Sequence, residues 1–215
     1  MKYNTVIFDL DGTLIDTLED LKNSVNYTLS LKGFPERSLD EVRRFVGNGI
    51  AKLVSRALPE IADEETFREC LGIFRKHYTE HSLDLTAPYS GIAEMLDELK
   101  KAGVKTAVVT NKTEDAAAGI INHFFSGTID IVIGQTEGLA PKPAPDGVFL
   151  AAGRLESVLE DCIYVGDSEV VCATARNAGL PVIGCTWGFR SRQVLENEKA
   201  DYIIDSPAEI PGIIL

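Results

Sequence analysis

The stretch Thr5–Asp16, TVIFDLDGTLID, decides how the rest of the chain is read. Its first four residues, Thr5 to Phe8, are strand formers with no charged face. Such a run suits a strand buried on both sides, as in a parallel sheet covered by helices. It stops at two aspartates one residue apart, Asp9 and Asp11, followed at once by Gly12 and Thr13. A carboxylate is costly to place where a buried strand ends, and two neighbouring carboxylates repel. The pair therefore points to a cation. Gly12 lets the backbone turn sharply and come close to whatever is bound there.

Further apolar runs follow the same pattern: Lys105 to Val109, Ile129 to Ile133, Cys162 to Val165, Pro181 to Cys185 and Tyr202 to Ile204. Between them lie segments of helical period, Gly91 to Lys101, Thr113 to His123, Ala144 to Gly153 and Ser168 to Ala178, with Gly103 and Gly179 as stops. The alternation predicts an α/β fold, a doubly wound parallel sheet with helices on both faces. One connection is too long. Roughly 95 residues separate the first strand from the second, whereas a complete βαβ unit needs only ~30. Thr17 to Ser82 read as helical throughout, with Leu18, Leu21, Val25 and Leu29 at three- and four-residue spacing. The expected organisation is an α/β core of residues 1–16 and 84–215 and an inserted α-helical cap of residues 17–83.

In open parallel sheets, ligands bind beyond the carboxyl ends of the strands. The residues found there are Asp9 and Asp11 after the first strand, Thr110 and Asn111 after the second, Lys142 between prolines after the third, and Asp167 after the fourth. Alone, Asp167, Thr110 or Asn111 would be read as helix caps, and Lys142 as a solvated loop residue. Together they form one rim of carboxylates, hydroxyl, amide and ammonium. That set suits phosphoryl transfer from a monoester, a reaction for which enzymes supply accelerations of up to ~10²¹. One aspartate can attack phosphorus, and the second can protonate the leaving oxygen and later deprotonate water. Mg²⁺ on carboxylates offsets the repulsion between anions, while the lysine and hydroxyl stabilise the transferring group.

DLDGT, VVTNK, APKPAP and VGDSE resemble, in order, the four motifs of the haloacid dehalogenase-like superfamily, and their spacing covers essentially the whole chain. The resemblance implies a Rossmann-like core, with Asp9 as nucleophile and Asp11 as acid/base. It also implies Thr110 and Lys142 on the phosphoryl group, and Mg²⁺ held by Asp9, the main-chain carbonyl of Asp11, and Asp167. The second acid and the threonine of DLDGT are similar to the phosphatases of that superfamily rather than to its dehalogenases. VRRFVGNGI, KPAPDGV, ARNAGL and TWGFRSRQ resemble its phosphoglycolate phosphatase branch, whose helical cap closes over the site. That likeness implies a small phosphorylated metabolite as partner. It adds Gly12 and Asn111 as substrate-binding residues, with Gly47, Asn48 and Lys52 in a specificity loop flanked by Arg43 and Arg44. Relatives acting on pyrophosphate, nucleotides or sugar phosphates, phosphosugar mutases, and a weakly active or non-catalytic phospho-ligand-binding protein remain alternatives.

One position departs from the family. Its fourth motif usually carries a further acid four or five residues after the first, where this chain has Val171 and Cys172; Glu169 has the wrong spacing. If Ser168 opens a helix, residue 171 falls in its first turn on the rim beside the metal. Valine there implies a raised Mg²⁺ requirement, relieved by Val171→Asp.

Composition limits the remaining choices. The net charge of −12 over 215 residues disfavours nucleic acid and anionic membranes as partners. The four cysteines, Cys70, Cys162, Cys172 and Cys185, lack zinc-site spacing, and free buried thiols are expected. The N-terminal apolar run is too short for a secretory leader and no stretch approaches a membrane span, so a cytoplasmic home is expected. Monomer and homodimer are equally compatible with the sequence.

Overall fold

The computed structural model describes residues 1–215, which divide into two compact units, residues 1–16 with 88–215 and residues 17–87. In chain order the elements are β1 (Thr5–Phe8), β2 (Ile15–Asp16), α1 (Leu18–Leu31), α2 (Leu39–Phe45), α3 (Ile50–Ala57), α4 (Glu64–His81), β3 (Ala87–Pro88) and α5 (Ile92–Lys101). There follow β4 (Lys105–Thr113), α6 (Glu114–Phe124), β5 (Ile131–Gln135), α7 (Asp146–Arg154), β6 (Cys162–Gly166), α8 (Glu169–Ala178), β7 (Val182–Cys185), α9 (Arg192–Asn197), β8 (Tyr202–Ile204) and α10 (Ile210–Ile214).

Six strands form one parallel sheet in the order β5-β4-β1-β6-β7-β8. The strand that opens the chain therefore lies inside the sheet. Thr5 to Phe8 pair with Lys105 to Val108 on one side and with Cys162 to Val165 on the other. Strand order reverses beside β1, which makes its carboxyl end the crevice where a ligand is expected. Alternation along the strands splits the core in two. Val6, Phe8, Val108, Ile163, Val165 and Ile183 face α5, α6 and α10. Ile7, Ala107, Val109, Ile133, Tyr164 and Val182 face α7, α8 and α9. Each fully buried aliphatic or phenylalanine side chain contributes roughly 1.5–3 kcal/mol, so both faces of the sheet must be covered. The doubly wound α/β arrangement is the one expected.

The inserted unit is four helices, α1 to α4. Gly33 (φ 67°) with Pro35, then Gly47 (φ 122°) and Gly49 (φ 81°), then Pro59 interrupt it. Caps mark the restarts. Ser38 and Glu41 form a reciprocal capping box on α2, and Asp63 accepts from the Thr66 N–H at the start of α4. Leu21, Val25 and Leu29 of α1, Val42, Leu53, Val54, Phe74 and Tyr78 are buried as this unit's core. Its buried Asp20 accepts the N–H of Leu85 (3.0 Å) and both the N–H and hydroxyl of Thr86 (2.8 Å each). The third sheet strand begins at Ile131, two residues later than the apolar run suggests, because Asp130 turns back to bond the Thr106 N–H. All four cysteines are free and buried. No helix is long and apolar enough to cross a membrane.

Candidate active site

The first strand ends at Phe8, and Asp9 follows with its main chain still tied to the sheet, its N–H donating to Val165 O (2.9 Å). The Asp9 carboxylate is buried. Its Oδ1 accepts the Leu10 N–H (2.7 Å) and meets the Lys142 ammonium (2.7 Å). Burial raises the carboxyl above its ordinary range, and Lys142 and the Leu10 amide oppose that rise. Both bonds fall on Oδ1, which leaves Oδ2 as the oxygen open to chemistry.

From Leu10 to Ile15 the chain wraps around one carbonyl. The N–H groups of Thr13, Leu14 and Ile15 all donate to Leu10 O. Gly12 sits in this loop at φ 82°, and a Cβ there would lie 2.5 Å from Asp167 Oδ2. Glycine is thus needed for the turn and for the close approach of the two motifs. Asp11 projects from the same loop, its Oδ1 3.0 Å from the ammonium of Lys112.

Lys142 reaches the site from the loop after β5. Besides Asp9, its ammonium donates to Val109 O (3.1 Å) and lies 5.7 Å from the centroid of the Tyr164 ring; the Tyr164 hydroxyl donates to the same carbonyl (2.8 Å). Asn111 fastens that loop: its amide donates to Lys142 O (3.1 Å) and its Oδ1 accepts the Lys142 N–H (2.8 Å). Both polar ends of Asn111 are thus occupied in holding the lysine. Thr110 is buried beside it, its Oγ1 accepting the Lys112 N–H (3.1 Å).

Asp167 follows β6 and is buried, with Oδ2 accepting the Phe189 N–H (2.7 Å). Burial first, then the charge of Asp9, pushes its carboxyl up to about 7; the Phe189 amide, Arg190 and Lys142 pull the other way. The segment after β7 closes tightly around it. A Cβ on Gly188 would lie 2.2 Å from Gly12 O and 2.4 Å from Asp167 Cβ. Trp187 Nε1 donates to Thr13 O (3.0 Å), and Arg190 pairs with Glu169 (2.9 Å).

Val171 lies in the first turn of α8, but its expected place on the metal rim is corrected. The side chain is fully buried in the cluster with Ile7 and Tyr164, and its two methyl carbons lie 2.5 and 2.6 Å from where a Cβ on Gly166 would be. Valine here fills the space that Gly166 leaves at the end of β6. An aspartate would meet apolar neighbours, so the expected gain from Val171→Asp is replaced by an expected loss of stability.

Gly47, Asn48 and Lys52 belong to the inserted unit. The Asn48 side-chain oxygen accepts from Arg56 (2.8 Å), which also donates to Phe45 O (2.7 Å), so Arg56 staples the glycine-rich turn before α3. Lys52 is exposed on α3, and Arg43 pairs with Asp40 (3.1 Å).

Two residues of the α/β unit that bear on the site carried no distinct sequence signal. Lys112 stands in a charged stretch that reads as a solvated strand end. Phe189 acts through its main-chain N–H, which leaves no trace in residue type. As a donor set, the Asp9 and Asp167 carboxylates with the Asp11 carbonyl offer only hard oxygens. No cluster of three His, Cys, Asp or Glu side chains spaced to hold a metal is present. Two buried carboxylates, one pushed up to about 7 by burial and then by its neighbour's charge, suit a cation that binds through one or two carboxylates and keeps its waters, as Mg²⁺ does.

Residues 6–185 match the family model of the haloacid dehalogenase-like hydrolases. The phosphoglycolate phosphatase of Aquifex aeolicus is 31% identical over 207 residues, covering 95% of this chain and 93% of its own. That of Caulobacter vibrioides is 33% identical over 213 residues, covering 96% and 89%. A solved structure from Lactobacillus delbrueckii subsp. bulgaricus, provisionally called a phosphoglycolate phosphatase, superposes with a TM-score of 0.96 at 32% identity, covering 100% of this chain and 99% of its own. With these motifs at the strand ends and this sheet order, the chain belongs to the haloacid dehalogenase-like hydrolases and is a phosphoglycolate phosphatase-like member of them.

Proposed function

We propose that the protein is a Mg²⁺-dependent phosphatase that hydrolyses a small phosphate monoester, phosphoglycolate being the first candidate, through a covalent phosphoryl group on Asp9. The observation that carries this reading is the asymmetry of the Asp9 carboxylate. Oδ1 is fixed by Lys142 and the Leu10 amide, which leaves Oδ2 for the attack. In the first step Oδ2 attacks phosphorus, the bond from phosphorus to the leaving oxygen breaks, and Asp11 gives that oxygen its proton. In the second, Asp11 takes a proton from water. The resulting oxygen bonds to phosphorus, the bond to Asp9 breaks, and inorganic phosphate leaves.

Lys142 and the Thr110 hydroxyl supply donors for the equatorial oxygens. Lys142 is well suited because Val109 O and Asn111 hold it in place before substrate arrives. Gly12 contributes a close main-chain approach, and Asn111 acts by positioning Lys142. Asp9, the Asp11 carbonyl and Asp167 would hold Mg²⁺. Bound there, the ion would offset the repulsion between the phosphate dianion and the site's carboxylates.

The helical insertion is the proposed cap, with Gly47, Asn48 and Lys52 in the part that governs substrate choice; the likeness to the phosphoglycolate phosphatases supports this. The partner is a small phosphorylated metabolite, and a cytoplasmic monomer or homodimer fits the acidic composition. Phosphate release from a panel of esters (phosphoglycolate, sugar phosphates, nucleotides and pyrophosphate), with Mg²⁺ and with chelator, tests the reading. Turnover of phosphoglycolate that stops with chelator is the expected result. No metal-dependent release from any monoester would sink it.

A further inference from the structure

The site contains two buried ammonium groups, and the reaction just described uses only Lys142. Lys112 stands near the end of β4, where the pairing with β5 shifts register between Val109 and Thr113. Its side chain is only 5% exposed, with Nζ 3.0 Å from Asp11 Oδ1. Burying an ammonium costs several kcal/mol before any partner repays it, so a lysine that merely solubilised a strand end would not be held there.

The main chain that carries this side chain is fixed from both sides. The Lys112 N–H is tied to Thr110 Oγ1, and its carbonyl lies 2.9 Å from where a Cβ on Gly134 would be. The opposite strand can pass at this point only as glycine.

This placement has a consequence for the leaving group. An acid/base group works within about 2.6–3.2 Å of the oxygen it protonates. With Nζ a further 3.0 Å from the Asp11 carboxylate, the ammonium lies within about 6 Å of the leaving oxygen. A carboxylate one methylene beyond that oxygen extends about 3 Å from it. Pointed toward Lys112, it ends within hydrogen-bond reach of Nζ. The lysine's own desolvation and rotamer cost is already met in the fold, so an anionic leaving group gains a charge-assisted bond at little further expense. A neutral one gains nothing.

We propose that Lys112 is a specificity-determining residue that reads the leaving group, selecting phosphate monoesters whose alcohol carries a carboxylate beside the ester oxygen, as 2-hydroxy acids do. The proposal rests on Asp11 as the acid/base of the phosphatase reading. Phosphoglycolate and ethyl phosphate differ mainly in that carboxylate, and their kcat/KM ratio is the readout. Lys112→Met keeps the stem and removes the charge. It should lower the ratio by about 10–100-fold, the worth of one hydrogen bond to a charged group, mainly through KM for phosphoglycolate. Lys112→Arg should keep the ratio within about threefold of wild type. Equal losses on both esters in a folded Lys112→Met protein would mean that Lys112 only positions Asp11, and would overturn the proposal while leaving the phosphatase reading intact. If the methionine variant melts early, wild type still decides: equal kcat/KM for the two esters overturns the proposal. Wild type that hydrolyses neither ester, nor any other monoester, overturns both readings.

Discussion

Both units bury aspartates, and the fold treats Asp20 and Asp167 in opposite ways. Asp20, in the helical insertion, receives the N–H groups of Leu85 and Thr86 and the Thr86 hydroxyl, so neutral donors surround it. Asp167, in the α/β unit, receives one main-chain N–H and faces the charge of Asp9, which with burial pushes it up to about 7. Where a carboxylate serves structure, local donors satisfy it. Asp167 is left short of donors and beside a like charge, a state that a cation would relieve. The first arrangement lowers the energy of the fold, whereas the second stores a demand for a ligand.

The sharpest break in that comparison is to exchange the chemistry of each kind of site. Asp9→Asn keeps the shape of the side chain and removes the nucleophile. Turnover should fall by about 10³-fold or more, with far-UV circular dichroism unchanged. Near-normal phosphate release from this variant would disprove the covalent route. Val171→Asp places a carboxylate among apolar neighbours. It should cost roughly 3–4 kcal/mol, read as a lower denaturant midpoint. A stable variant with a lower Mg²⁺ half-saturation would show instead that position 171 serves the metal.

Asp20→Ala tests the structural carboxylate. Stranding the donors of Leu85 and Thr86 should cost about 2–3 kcal/mol, seen as a lower melting temperature. No change would mean that water replaces the carboxylate at no cost. The smallest expected effect is a pH slope. Asp167 is raised in the folded chain from 3.8 to about 7, so the folded state holds its proton across a window in which the unfolded chain has lost it. The stability tied to this group is fully present below 3.8 and is lost as pH rises through about 7. The stabilisation gained on adding Mg²⁺ should therefore grow as pH rises through that range, and Asp167→Asn should weaken the growth, leaving the part due to Asp9, whose carboxyl is also raised. Calorimetric melts with and without Mg²⁺ at several pH values measure both. A Mg²⁺ gain independent of pH would count against Asp167 as a ligand.

The sheet was legible in the sequence because strands buried on both faces must be apolar without interruption, and β1, β6 and β7 are. The strand-end residues were legible because charge is conspicuous where such a run stops. What stayed hidden follows from the same physics. Lys112 was visible only as the last letter of VVTNK, since residue type does not reveal that the irregular end of β4 carries its ammonium to Asp11. The Phe189 amide on Asp167 is a main-chain group that any residue supplies. Val171 was misplaced because helical position gives the turn but not the face, and the face was decided by the gap at Gly166. The short α9 and α10 carry too few periods to stand out.

The two-residue strands β2 and β3 pair as a separate ribbon, so the chain that departs at Ile15–Asp16 returns beside it at Ala87–Pro88. Every strand of the six-stranded sheet comes from outside the stretch between them. To the α/β unit, then, the whole helical insertion is topologically one long loop whose ends meet. Lengthening a loop costs entropy only logarithmically, about 0.6 kcal/mol per doubling. The core can therefore carry helical insertions of very different size between the same two strands without any change to the order or register of the six-stranded sheet.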